Sequence, residues 1–158
     1  MIAALSLATA LSQPRDVVVQ LYREYAWEAM LQEPAGRNGL LAQPPAELRR
    51  FFDDRLVSLI LKDRECEKTT QGVCNLDFDP IWDSQDPAAY DMRIKPATES
   101  GIVRVKFLLP GCEKLPNPGA RKKATIDYQV VKTPNGWRIA DIRGLAGSLV
   151  DILSGNVR

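Results

Sequence analysis

Histidine is absent from all 158 residues. That removes the commonest general base near neutral pH and the commonest zinc ligand together. A Ser-His-Asp or Cys-His site is therefore excluded within this chain, and a serine or cysteine nucleophile would need lysine activation, for which no spacing argues. An excess of either charge is also missing: 21 Lys and Arg stand against 20 Asp and Glu, a net charge of +1. Nucleic-acid binders collect a basic excess on one face. The one dense basic run, Arg121-Lys122-Lys123, reads as a solvated strand entry, so no nucleic-acid partner is expected. No stretch reaches the roughly 18 apolar residues of a membrane span. The ten glycines fall in turns, and Gly144, Gly147 and Gly155 lack Rossmann or P-loop spacing. No cofactor is expected.

What is present is an ordinary globular balance, 45% hydrophobic and 26% charged, enough for one domain over residues 14–158 with a real core. Residues 1–13 are read apart from it. Met1 to Ser12 are small, apolar and uncharged, like the hydrophobic half of a secretory signal with Ala8-Thr9-Ala10 as its cleavage motif. The other reading is an apolar arm packed on the domain. Of the three cysteines, Cys66 and Cys74 flank a polar segment, Glu67 to Val73, that reads as a loop. A bridge closing so short a loop is geometrically easy and would contribute about 2–3 kcal/mol. Together with the signal-like start it points to the bacterial periplasm or secretion, leaving Cys112 free; three reduced thiols in a cytosolic protein is the alternative.

Hydrophobic spacing divides the domain. From Pro14 to Gln32, Val17, Leu21 and Tyr25 with Val18 and Tyr22 recur at helical spacing, and Pro14 suits a first turn. A second helix is expected from Pro44 to about Arg64 on the stripe Leu48, Phe52, Leu56, Leu59 and Ile60, with Arg49, Arg50, Asp53 and Asp54 on its wet side. Beyond a proline-punctuated acidic segment, Asp77 to Pro87, the period changes to two. Strands are expected near 90–95, 102–109, 124–132 and 137–143, with Tyr90, Met92 and Ile94 inward in the first and a hairpin at Asn135-Gly136 before the last. Leu145 to Leu153 reads as a short C-terminal helix. Two helices followed by about four antiparallel strands make an α+β layer design; a sheet curled around the first helix would form a cone.

The aromatic first helix, the segment Asp79-Pro80-Ile81-Trp82-Asp83-Ser84-Gln85-Asp86, the strand meander and the terminal Gly136-Trp137-Arg138-Ile139-Ala140-Asp141-Ile142 together resemble the DUF3828 family. These are small bacterial, mostly exported proteins grouped with the NTF2-like (cystatin-like α+β cone) superfamily. The resemblance implies a fold and no particular reaction, because such cones host isomerases, dehydratases and non-catalytic binding modules.

The acidic segment fails as a calcium loop: counted from Asp77, position 5 is Ile81, position 6 is Trp82 and position 12 is Ala88. Turn and cap roles are expected for its aspartates, and no metal. Tyr25, Trp27, Trp82, Tyr128 and Trp137, with Phe78, would line a cavity around an apolar ligand, or else be plain core. In an unbulged last strand Asp141 shares the face of Trp137 and Ile139, and a carboxylate among apolar side chains is the kind of group a cone-type isomerase uses to move a proton. A bulge would instead put Asp141 in water and turn Ile142 inward. The expected function is a non-catalytic module holding a small apolar ligand or a protein partner, with no bar to a homodimer. The alternatives are a proton-transferring enzyme built on Asp141 with Tyr25 or Tyr128 as donor, and a protein-interaction or immunity-type module using the outer sheet face.

Overall fold

The first helix, α1 (Pro14–Tyr25), begins where Pro14 can lose its N–H without cost and where the Gln13 N–H donates to Asp16 at 2.9 Å. A computed structural model describes residues 13–27, 29, 39–85, 88–109 and 122–156 of the chain. The signal-like start, Cys112, Arg121, Asp86 and the end of the first expected helix lie outside them. Val17, Val18, Leu21, Tyr22 and Tyr25 are the buried residues of α1, and the helix runs across the sheet from β4 to β1.

The second expected helix is two helices. After a 3-10 turn at Leu40–Ala42, α2 covers Pro45–Phe51 and α3 covers Asp54–Thr70. Between them Phe52 is extended, pairs with Ile139 as an isolated bridge, and the Asp53 N–H donates to the Ile139 carbonyl at 3.0 Å. Asp53 is thus not a wet-face residue. Its carboxylate accepts from the Leu56 N–H at 2.8 Å and caps α3. The break puts a backbone donor on a strand edge that would otherwise lack one. At its other end α3 passes Arg64 and takes in part of the expected loop, closing on Gln71 in the left-handed region at φ 53°. Cys66 therefore sits on the last turns of α3 and is bridged to Cys74, with Cα atoms 6.1 Å apart.

The sheet has five strands, β1 (Tyr90–Ile94), β2 (Ile102–Leu109), β3 (Lys122–Thr133), β4 (Gly136–Gly144) and β5 (Gly147–Ser148), in sequence order and all antiparallel. Four were expected. The fifth is two residues long, too short for alternation to reveal, and it takes the start of the expected last helix, which is confined to α4 (Leu149–Leu153). The β3–β4 hairpin turns through Pro134 and Asn135, with Gly136 at φ 102°. In β1 the register slips between Tyr90 and Arg93, Asp91 takes φ 47°, and Tyr90 is exposed rather than inward. The inward residues Val103, Val105, Phe107, Ile126, Tyr128, Val130, Ile139 and Ile142 meet α1, Trp82 and α4 in one core.

Candidate functional site

The space between α1 and the sheet is filled. The Tyr22 hydroxyl donates to the Ile81 carbonyl at 2.7 Å and lies 2.8 Å from that of Tyr128. Trp82 meets Tyr22 edge to face at 5.3 Å between centroids and Phe107 at 5.8 Å. Burial pushes both tyrosine hydroxyls well above the ordinary tyrosine range. So Trp82 and Tyr128 come together through Tyr22, a residue the sequence placed on the helix stripe without a polar role. The other aromatics lie apart. Tyr25 packs edge to face on Phe51, and its hydroxyl donates to Glu47 at 3.2 Å; burial, then Glu47, raises its pKa to about 12. Trp27 is half-buried beyond α1, and Trp137 is half-buried with the Lys132 ammonium 4.9 Å from its ring centre. None of the five lines either groove described below.

Asp141 sits at a bulge. Gln129 pairs with Asp141 and Val130 with Ile139, so Ala140 is the extra residue on β4. The bulge turns Ile142 into the core, 1% exposed, yet Asp141 does not reach water and is 7% exposed. It lies under α4, where one oxygen accepts from the Ile142 and Val150 N–H groups at 2.9 and 3.1 Å. The other accepts from the Arg143 Nε–H at 3.0 Å and the Ser148 hydroxyl at 2.8 Å. Four donors converge on one carboxylate, which fastens the final helix to β4. This is the environment of a structural anchor rather than of an acid among apolar side chains.

The acidic segment is likewise turn structure. Asp79 accepts from the Ile81 N–H at 2.9 Å, and Asp83, at φ 52°, accepts from the Leu145 N–H at 2.8 Å. Gly144 lies so close to Asp83 that an added Cβ would stand 2.5 Å from its carboxylate oxygen. Among the described residues no cluster of metal-ligating side chains occurs.

Open space appears elsewhere. A groove of about 790 Å³ runs along α3 between the 39–42 turn and the 73–85 segment. Leu40, Ile60, Leu76, Phe78 and Leu153 give it an apolar floor, and Asp63, Arg64, Glu67, Lys68, Asp77 and Asp79 give it charge of both signs. The disulfide holds one wall, and beside it buried Asp63 accepts from the Asn75 N–H at 3.1 Å and the Asn75 Nδ2 at 2.7 Å. Arg64 donates through Nη1 to the Gln43 carbonyl at 2.8 Å. Its Nη2 is buried with no hydrogen-bond partner. Burial lowers the Arg64 pKa, with the attraction of Glu67 opposing. A second cleft, about 560 Å³ at the β3–β4 hairpin, holds Arg50, Lys132 and Arg138. There each cation is engaged, Arg50 by Glu24 and Glu47, Lys132 by Trp137, and Arg138 by the Arg49 carbonyl.

Arg64 and Asp63 are what reading the sequence missed. Their signal was two charged residues three and four positions after Ile60, continuing the apolar stripe of the helix instead of its wet side. No helix of the described residues is long and apolar enough to cross a membrane. No protein-family model matches the chain, and no curated protein or solved structure matches it either.

Proposed function

We propose that this chain is a non-catalytic binding module of the bacterial envelope, with an NTF2-like cone whose interior is packed shut and whose ligand lies in the groove along α3. The groove carries this reading. It is the size of a small-molecule site, apolar in its floor with a few convergent polar groups, and it contains a partly desolvated arginine that the fold does not satisfy. The order of helices and antiparallel strands, with α1 laid across the sheet, supports the cone and the resemblance to DUF3828. The Cys66–Cys74 bridge supports an oxidising compartment. The proton-transfer alternative is left without its candidate acid, since both Asp141 oxygens are taken up in holding α4.

The test is fluorescence of an uncharged apolar dye, Nile red, with the folded protein. Emission should rise on mixing, and Leu76→Arg, which puts a charge on the floor at a half-buried position, should abolish the rise while leaving the circular dichroism spectrum unchanged. An undiminished rise in that variant would place dye binding elsewhere and overturn the groove as the site.

A further inference from the structure

The charged groups around the groove are unequal in number and in what the fold does with them. Four carboxylates, Asp63, Glu67, Asp77 and Asp79, line it against two cations, Arg64 and Lys68. Both cations are already matched. The Arg64 Nη1 is held by the Gln43 carbonyl, its Nη2 is buried, and Glu67 supplies the opposing charge. Lys68 is exposed, and its ammonium lies 3.7 Å from Glu65, which is not part of the lining. The carboxylates are a different case. Asp63 is 5% exposed, and its partner is uncharged: the Asn75 N–H and Nδ2 both donate to Oδ1. The Asp63 Oδ2 has no hydrogen-bond partner among the described residues, and unlike the Arg64 Nη2 it is not shut off from the surface. A carboxylate placed so deep is costly unless a cation meets it. Asp63 follows Ile60 by three positions, so the two share a face of α3 and the charge stands beside the apolar floor. At the rim Asp77 is exposed and forms no ion pair among the described residues.

From this juxtaposition we infer that the groove takes a small apolar primary amine, its ammonium on the Asp63 Oδ2 in the field of Asp77 and its hydrocarbon body over Ile60, Leu76 and Phe78. An ammonium is a compact charge with three donors, which suits a single open oxygen. A fatty acid would meet two unmatched charges of its own sign, and a neutral chain would leave the buried carboxylate as it stands. A metal ion needs several such oxygens together, and no cluster of that kind occurs among the described residues. This inference rests on the groove being the binding site.

The experiment is calorimetric titration of the full chain with three probes of one chain length: octylamine, 1-octanol and octanoate. Amide NMR spectra report whether Ile60 and Leu76 are perturbed. Octylamine should bind about tenfold tighter than octanol, the scale of a hydrogen-bonded charge, and octanoate should bind weakest. Asp63→Asn keeps an oxygen for Asn75 and removes the charge. It should bring octylamine to the affinity of octanol and leave octanol unchanged. Two further readouts do not depend on that variant folding. Asp77→Asn should weaken octylamine by about two- to threefold, as for an exposed charge, and added salt should shrink the lead of octylamine over octanol in the wild type. Equal affinity for octylamine and octanol, with Ile60 and Leu76 still shifting, would leave the groove standing and overturn the amine. Octanoate binding tightest would overturn it too. If no probe perturbs Ile60 or Leu76, the groove reading falls together with this one.

Discussion

The interior under α1 and the groove along α3 both leave one buried donor unpaired, the Trp82 Nε1 in the first and the Arg64 Nη2 in the second. They do so in different settings. Trp82 is neutral, 1% exposed, and packed edge to face on Tyr22 and Phe107. What its unpaired N–H costs is offset by the apolar area the indole buries. Arg64 is charged and half-buried beside the groove, with its Nη1 held by the Gln43 carbonyl. An unpaired group is tolerable where it brings packing with it. Beside the groove the unpaired group belongs to a cation, whose desolvation costs more than that of an indole N–H.

Substitutions can break that comparison, beginning in the interior. Trp82→Ala should cost about 3–5 kcal/mol in urea unfolding, as for other large core truncations. Trp82→Phe should cost much less, because the lost volume is partly offset by removing the unpaired donor. Equal losses in the two variants would mean the indole N–H is not a burden. On the groove side, Cys66→Ser with Cys74→Ser should cost about 2–3 kcal/mol under oxidising conditions. The same loss should follow reduction of the wild type, and an unchanged unfolding midpoint would show that the Asp63–Asn75 clamp alone holds the wall.

Asp141→Asn comes next at about 1–3 kcal/mol, since an amide nitrogen would meet donors where a carboxylate oxygen accepted. A carboxylate desolvated among apolar side chains would give the opposite result, an amide variant as stable as the parent or more so. Chemical denaturation distinguishes the two by sign. Tyr22→Phe should cost about 1–2 kcal/mol and Tyr128→Phe less, because Tyr22 also serves the Ile81 carbonyl. The folded pKa values of both hydroxyls lie above the unfolded value of about 10. Their contribution is thus fully present below that pH and is lost as pH rises through the folded values. Melting temperatures measured from pH 8 to 11 should fall at the alkaline end, and less steeply in the double Phe variant. The smallest effect sharpens the comparison most: Arg64→Gln should change stability by no more than about 1 kcal/mol, because losing the hydrogen bond to the Gln43 carbonyl is offset by removing the unpaired buried donor. A loss of several kcal/mol would show that the unpaired donor is no burden on the fold.

The elements themselves were legible because their signals are local. Valine, leucine and tyrosine at helical spacing in α1, alternation in β2, β3 and β4, the Asn135-Gly136 hairpin and the close pair Cys66 and Cys74 each depend on residues near one another in the chain. Asp79 was legible as a turn residue for the same reason, since it bonds a backbone group two positions on. What only the tertiary structure decided depends on partners far apart. The second helix breaks because Phe52 and Asp53 meet Ile139 across the fold, a contact no periodicity encodes. Asp141 became an anchor because a bulge at Ala140 and the return of β5 bring Ser148 and Val150 over it. The groove exists because α3, the 39–42 turn and a disulfide-held loop enclose a face that the sequence could mark as half apolar but could not show to be left open. Local periodicity reports which side of an element is apolar; whether another element covers that side is settled only when the chain has packed.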